Sequence, residues 1–186
     1  MASPTVIRLS SAALFSSACI LTGTALLWAK DNPPLPVVPD VDLSRYEGKW
    51  YEIARLPFRF EKNCASDVTA QYQRKADGSI EVINTCRTAD GSLKQSKGTA
   101  RLRNKNGPSS QLKVRFFWPF SGDYWILDLD PDYRWALVGT PDRKCLWMLS
   151  RTPQLPANLY EMLLSKAREL GFDVKPMVRT EQDTRA

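Results

Sequence analysis

The chain has 186 residues, of which 43% are apolar and 25% charged, with a net charge of +6; this is the composition of one globular domain with an ordinary core. The basic residues are scattered rather than gathered into a block, which argues against a nucleic-acid partner. There is no histidine, so the commonest general base and the usual zinc and haem ligand are missing, and no metal or cofactor is expected.

Arg8 is followed by an uncharged, largely apolar stretch from Leu9 to Ala29 and then by Lys30. Three readings fit residues 1–30. One is a cleavable signal peptide with small residues at Gly23-Thr24-Ala25 or Leu27-Trp28-Ala29. Another is a retained anchor, because the stretch is about as long as a membrane-spanning helix. The third is a lipoprotein signal acylated at Cys19, which follows Ser16-Ser17-Ala18. All three carry the following domain across a membrane and leave it associated with that membrane or released beyond it. Residues 31–40 are rich in proline and read as an extended linker.

Gly48 and Trp50 open the first predicted strand, 48–57. A period of two places Trp50, Glu52, Ala54 and Leu56 on one face and Tyr51, Ile53 and Arg55 on the other. Further strands are expected over 67–75, 79–87, 93–103, 110–118, 123–130, 133–139 and 144–151. Turn residues separate them: Asp77-Gly78, Asp90-Gly91, Asn106-Gly107-Pro108, Ser121-Gly122, Asp130-Pro131 and Thr140-Pro141. The linkers are too short for parallel crossovers, so the eight strands form an antiparallel, up-and-down sheet that closes into a β-barrel with room for one small ligand. A two-sheet sandwich is the rival, and the lack of a long crossing connection disfavours it.

Beyond Pro153 the period changes. Leu155, Leu159, Met162, Leu163, Lys166 and Leu170 share one stripe of a helix over 156–170, packed outside the barrel. Phe172-Asp173-Val174 reads as a short final strand, the domain closes near 178, and 179–186 reads as a flexible tail. The hairpin at Asp77-Gly78 brings Cys64 and Cys86 together, so an exported protein would bond them, given a bulge or bend to adjust the register. Cys145 is left as a small buried hydrophobe.

Three short motifs now stand in order: Gly48-Lys49-Trp50-Tyr51, Asp130-Pro131-Asp132-Tyr133 and Leu149-Ser150-Arg151-Thr152-Pro153. On an eight-strand-plus-helix pattern this resembles the lipocalin family. Trp50-Tyr51-Glu52-Ile53-Ala54-Arg55, Phe116-Phe117-Trp118-Pro119-Phe120 and Gly171-Phe172-Asp173-Val174 are similar to the branch holding the bacterial outer-membrane lipocalins and apolipoprotein D. The resemblance covers residues 40–178. It implies that Arg151 lies over Trp50 at the closed end, beside Gly48, as a structural pair.

Strand parity then gives a lining of Ala54, Leu56, Tyr72, Val82, Leu102, Val114, Phe116, Trp147 and Leu149, an apolar and aromatic cup. Trp125, Leu127, Trp135 and Leu137 lie on strands apolar on both faces and are secondary candidates. Glu52 points inward near the closed end, and Phe58, Phe60, Trp118 and Phe120 ring the mouth as a patch for lipid or for a second copy in a homodimer. The resemblance implies binding, storage or transport of a fatty acid or lysophospholipid in the bacterial envelope, on the periplasmic side, with no catalytic residue. Two other readings stand beside it: an anchored interaction protein whose barrel is filled by its own side chains, and an enzyme using Cys145, for which no histidine is at hand.

Overall fold

The chain divides into residues 1–31 and 32–186. The computed structural model describes residues 33–117 and 119–183. Residues 1–32, with Cys19 and the expected targeting segment, the residue Trp118 and the side chain of Phe120 lie outside the described residues. Among those described, no helix is long and apolar enough to cross a membrane.

The elements follow as α1 (Leu43–Tyr46), β1 (Gly48–Arg55), β2 (Ser66–Arg74), β3 (Ile80–Arg87), β4 (Leu93–Leu102), β5 (Gln111–Phe117), β6 (Phe120–Leu129), β7 (Trp135–Gly139), β8 (Leu146–Ser150), α2 (Ala157–Glu169) and β9 (Val178–Arg179). Each of the first eight strands pairs with its sequence neighbour, and β8 returns to β1, so the antiparallel sheet is closed. Closure removes the free edges that an open sheet would present. The eight strands stand within a few residues of their sequence-based bounds. The short helix α1, with Asp42 capping it through a bond from Ser44 N, and the strand β9 are additions.

Closure is uneven. β1 pairs with β2 only from Gly48↔Tyr72 to Tyr51↔Thr69. Beyond that point the two strands diverge, and the C-terminal segment fills the seam. Ala54 and Arg55 pair with Arg179 and Val178 of β9. The Gln182 side-chain amide donates to Glu52 O at 2.8 Å and Val68 O at 2.9 Å, bridging the two strands where their own ladder stops. Residues 179–183, expected as a loose tail, are therefore hydrogen-bonded into the barrel wall. The final strand also stands later than Phe172–Val174. Phe172 is instead a buried anchor against Gly139, where a Cβ would lie 2.7 Å from its ring.

The core has two layers. Inside the lower barrel, Tyr46, Trp50, Ile80, Ala100, Leu112 and Ile126 pack as a plug. Outside, Tyr160, Leu163 and Ala167 of α2 pack on Leu137, Leu146 and Met148; of the expected stripe, Leu163 and Leu170 are buried, whereas Met162 is exposed and the buried face is centred on Leu163 with Tyr160 and Ala167. Gly171, at φ +85°, ends α2 in a left-handed turn with Phe172 N bonded to Ala167 O. The proline-rich linker is not a free spacer from residue 33 on. Leu35 is buried in the outer layer, and Val38 N donates to Ile126 O at 3.0 Å.

Cys64 and Cys86 form a disulfide with Cα atoms 5.5 Å apart. It ties the loop 56–65 to β3, and the register of β2 and β3 shifts between Ser66 and Thr69 to allow it. Truncating the helix contact Leu163→Ala should cost about 2–5 kcal/mol in urea unfolding; a change below about 0.5 kcal/mol would show that α2 does not hold the barrel.

Candidate functional site

The closed end is locked by one arginine. Trp50 is fully buried, and its indole N–H donates to Tyr46 O at 2.8 Å. The Arg151 guanidinium lies 3.9 Å from the Trp50 ring centroid. It donates to Lys49 O at 2.9 Å, Arg45 O at 2.8 Å and Tyr133 O at 3.2 Å. One planar fork thus ties β1, α1 and the β6–β7 turn together, which a lysine cannot do. Gly48 sits at φ +92° with Arg151 packed beside it, so a side chain there meets both strain and the guanidinium. Asp130 fixes the same turn through two bonds to the Arg134 guanidinium, at 2.8 and 2.9 Å, and that guanidinium holds the Asp130 carboxyl below its usual range.

Above the plug the barrel opens into a cavity of about 380 Å³, within the range of small-molecule sites. Of the expected lining, Tyr72, Val82, Val114, Phe116, Trp147 and Leu149 face it. Leu102 lies lower and packs against the plug instead, because β4 reaches the closed end there.

Ala54 and Leu56 do not line the cavity. They are buried in the outer layer beneath α2. The cause is a β-bulge: Glu52 pairs with Leu149 but Ala54 pairs with Met148, so one residue of β1 has no partner in β8. A single extra residue turns the rest of the strand to the opposite face. Arg55, expected outside, becomes buried beside Glu52. Trp125, Leu127 and Leu137 likewise belong to the outer layer, with Trp135 packed against it. Ile126, Ala136 and Val138 are their inward-facing neighbours.

The bulge also gives the cup a polar wall. Glu52 is buried and accepts from Thr180 Oγ1, while Arg55 Nη1 donates to Glu52 Oε1 at 3.2 Å. Arg55 Nε lies 2.9 Å from Glu61 Oε2, and the Trp147 indole N–H donates to Glu61 Oε1 at 3.2 Å. Burial and the neighbouring Glu61 carboxylate push the Glu52 pKa up to about 8. Glu61, on the loop 56–65, was not read from the sequence as a site residue, whereas Phe58 on the same loop stands at the cup as expected. The usable signal was Trp147, half-buried on the cup wall, whose N–H needs an acceptor.

At the floor, Tyr72 and Tyr46 both hydrogen-bond the Tyr124 hydroxyl, at 2.9 and 2.8 Å. Burial raises all three phenols, that of Tyr72 to about 12. On the opposite wall the Phe116 ring lies across Gly98, where a Cβ would stand 2.8 Å from it. Phe58 and Phe60 stand at the mouth, and Phe60 is 57% exposed. Cys145 also lines the cavity; burial raises its thiol pKa, which works against a nucleophilic role.

Two outcomes test this geometry. Arg151→Lys should lose about 2–4 kcal/mol of stability, since three carbonyls and an indole face lose their partner; an unchanged urea midpoint would contradict the lock. Glu52 has a folded pKa near 8 against an ordinary 4.5, so the folded state holds the proton more tightly. Its contribution is fully present below about pH 4.5 and is lost as pH rises toward 8. Glu52→Gln should therefore flatten the fall in stability between about pH 5 and 8; an identical slope in both proteins would contradict it.

Comparison with known proteins agrees with this architecture. The sequence matches the family described as "Lipocalin-like domain" over residues 41–182. It is 41% identical over 166 residues to outer membrane lipoprotein Blc of Escherichia coli K12, covering 87% of this chain and 93% of that one. It is 38% identical over 159 residues to temperature-induced lipocalin-1 of Arabidopsis thaliana, covering 82% and 85%. It is 35% identical over 158 residues to apolipoprotein D of Bos taurus, covering 81% and 82%. The fold is shared with lobster apocrustacyanin A1 (TM-score 0.62, 16% identity, 80% of this chain and 91% of that one). It is shared too with insecticyanin of Manduca sexta (TM-score 0.63, 21% identity, 80% and 85%).

Proposed function

The chain belongs to the lipocalin family, and we propose on that premise that it binds and carries a single-chain lipid, a fatty acid or lysophospholipid, in the bacterial cell envelope without catalysing a reaction. The observation that carries this reading is the cup itself: about 380 Å³, closed below by Trp50 and Arg151, open above, and walled by Val82, Val114, Phe116, Trp147 and Leu149. An apolar well of that form takes an elongated hydrophobe. A barrel filled by its own side chains would lack such a space, which weighs against a purely structural interaction role.

Burying about ten methylenes at about 0.8 kcal/mol each yields roughly 8 kcal/mol before ordering is subtracted, so micromolar or weaker binding is expected. The similarity to a protein named an outer membrane lipoprotein supports placement on the periplasmic side of the envelope. Residues 1–30 would supply the export signal and, if kept or acylated at Cys19, the attachment. Exposed Phe60 and Phe117 at the mouth are the surface on which a second copy would pack in a homodimer.

Titration with a lysophospholipid below its micelle concentration, followed by tryptophan fluorescence, should give a saturable one-site change. Trp147→Ala should weaken the binding about tenfold with the fold intact. No saturable change, together with a purified protein that yields no lipid on extraction, would overturn the carrier reading.

A further inference from the structure

The rim of the cup carries a feature that an apolar ligand alone does not need. Phe58, Phe60, Glu61 and Trp147 all line the cavity. The Phe58 ring stands at 85° to Trp147 with centroids 5.5 Å apart, and at 66° to Phe60 with centroids 5.3 Å apart. Rings set edge to face form a corner that offers aromatic faces to whatever enters it. Glu61 sits in that corner, held by the Trp147 indole N–H at 3.2 Å. An aromatic corner with a carboxylate attracts a cation, because each ring face is the negative end of a quadrupole.

The charge behind the corner depends on Glu52. Arg55 serves two carboxylates, lying 2.9 Å from Glu61 and 3.2 Å from Glu52. While Glu52 holds its proton, below about pH 8, Arg55 balances Glu61 and the aromatic faces are what favour a cation; once Glu52 ionises, one negative charge is left over in the wall. We propose that this corner is the head-group site of the cup, and that the bound lipid carries an ammonium group seated between Phe58, Phe60, Trp147 and Glu61. The inference rests on the carrier reading above and adds the polarity of the cargo. The alkyl chain would run from the corner past Val82, Val114 and Leu149 toward Tyr72. A carboxylate head placed in the corner would instead meet Glu61.

Other charged groups also face the cup. Arg59 lies 4.9 Å from the Phe60 ring centroid and occupies one face of that ring. Lys94 of β4 and Asp123 of β6 also line the cavity. Lys113 lies 3.1 Å from the Asp123 carboxylate. Tyr72 of β2 and Cys145 of the β7–β8 turn are raised chiefly by burial, with the Glu61 charge contributing. As Glu52 ionises through about pH 8, a second negative charge joins Glu61, so a cation should bind more tightly as pH rises.

The test uses the full chain and three probes of one chain length, the two ionic ones below their micelle concentrations and the alcohol below its solubility limit: dodecyltrimethylammonium, dodecanoate and dodecanol. Tryptophan fluorescence or displacement of a fluorescent fatty probe reads the binding. The ammonium should bind about tenfold tighter than the alcohol, and dodecanoate more weakly than the alcohol. The ammonium-to-alcohol ratio should grow between pH 6 and 9 and fall toward one in Glu61→Gln and in Phe58→Leu. A lysophosphatidylcholine that shares the advantage over lysophosphatidic acid would identify a phospholipid source; an advantage confined to the simple ammonium would identify an alkylamine. Equal binding of the three probes, or tightest binding of dodecanoate, would overturn the head-group site while leaving the carrier reading in place. Binding of none would overturn both.

Discussion

Arg151 stacked on Trp50 is the constraint on which the cup depends. A barrel becomes a container only if one end is sealed, and at that end β1, α1 and the β6–β7 turn leave carbonyls that their own ladders do not pair. The guanidinium supplies three N–H bonds to carbonyls of Arg45, Lys49 and Tyr133 while its flat face covers the indole. The three motifs that mark the sequence converge on this point. Gly48 leaves room for the guanidinium, Asp130 holds the turn that presents Tyr133, and Ser150-Arg151 ends β8 where β1 begins. With the floor fixed, the plug above it can pack in one arrangement, and the remaining height of the barrel stays open.

The strand count, the up-and-down order and the helix were legible in the sequence because each has a local cause: paired turn residues stand at short intervals, and an apolar helical pattern follows Pro153. The pairing of Arg151 with Trp50 at the floor came instead from the resemblance to the family. The lining was legible where one face meets the cup and the other meets water. On β6 and β7 both faces are covered, by the plug within and by α2 without. Period two is then silent, because apolar residues fall on both faces. Trp125, Leu127 and Leu137 therefore gave no sign of facing outward.

The β1 bulge is the instructive failure. Strict alternation sends Ala54 and Leu56 into the cup and Arg55 under the amphipathic helix. The structure reverses this, placing the small apolar side chains under α2 and the arginine beside Glu52 and Glu61. A charged residue assigned to a helix-covered face was the available warning. The polar wall that results could not be read from either residue alone, since it requires the loop 56–65 to bring Glu61 across, and the C-terminal segment to bring Thr180 to Glu52. The seam between β1 and β2 is likewise a tertiary matter. Gln182 looks like an ordinary polar residue in a charged tail until its amide is seen bridging two strand carbonyls.

The central claim is that the space above the plug is a binding cup for one lipid. Native mass spectrometry of the protein incubated with a single-chain lipid, beside a Val114→Trp variant that fills the cup, tests it most directly. One bound lipid per wild-type chain, and none on the folded variant, is the expected result. Lipid bound equally to both proteins, or to neither, would contradict it.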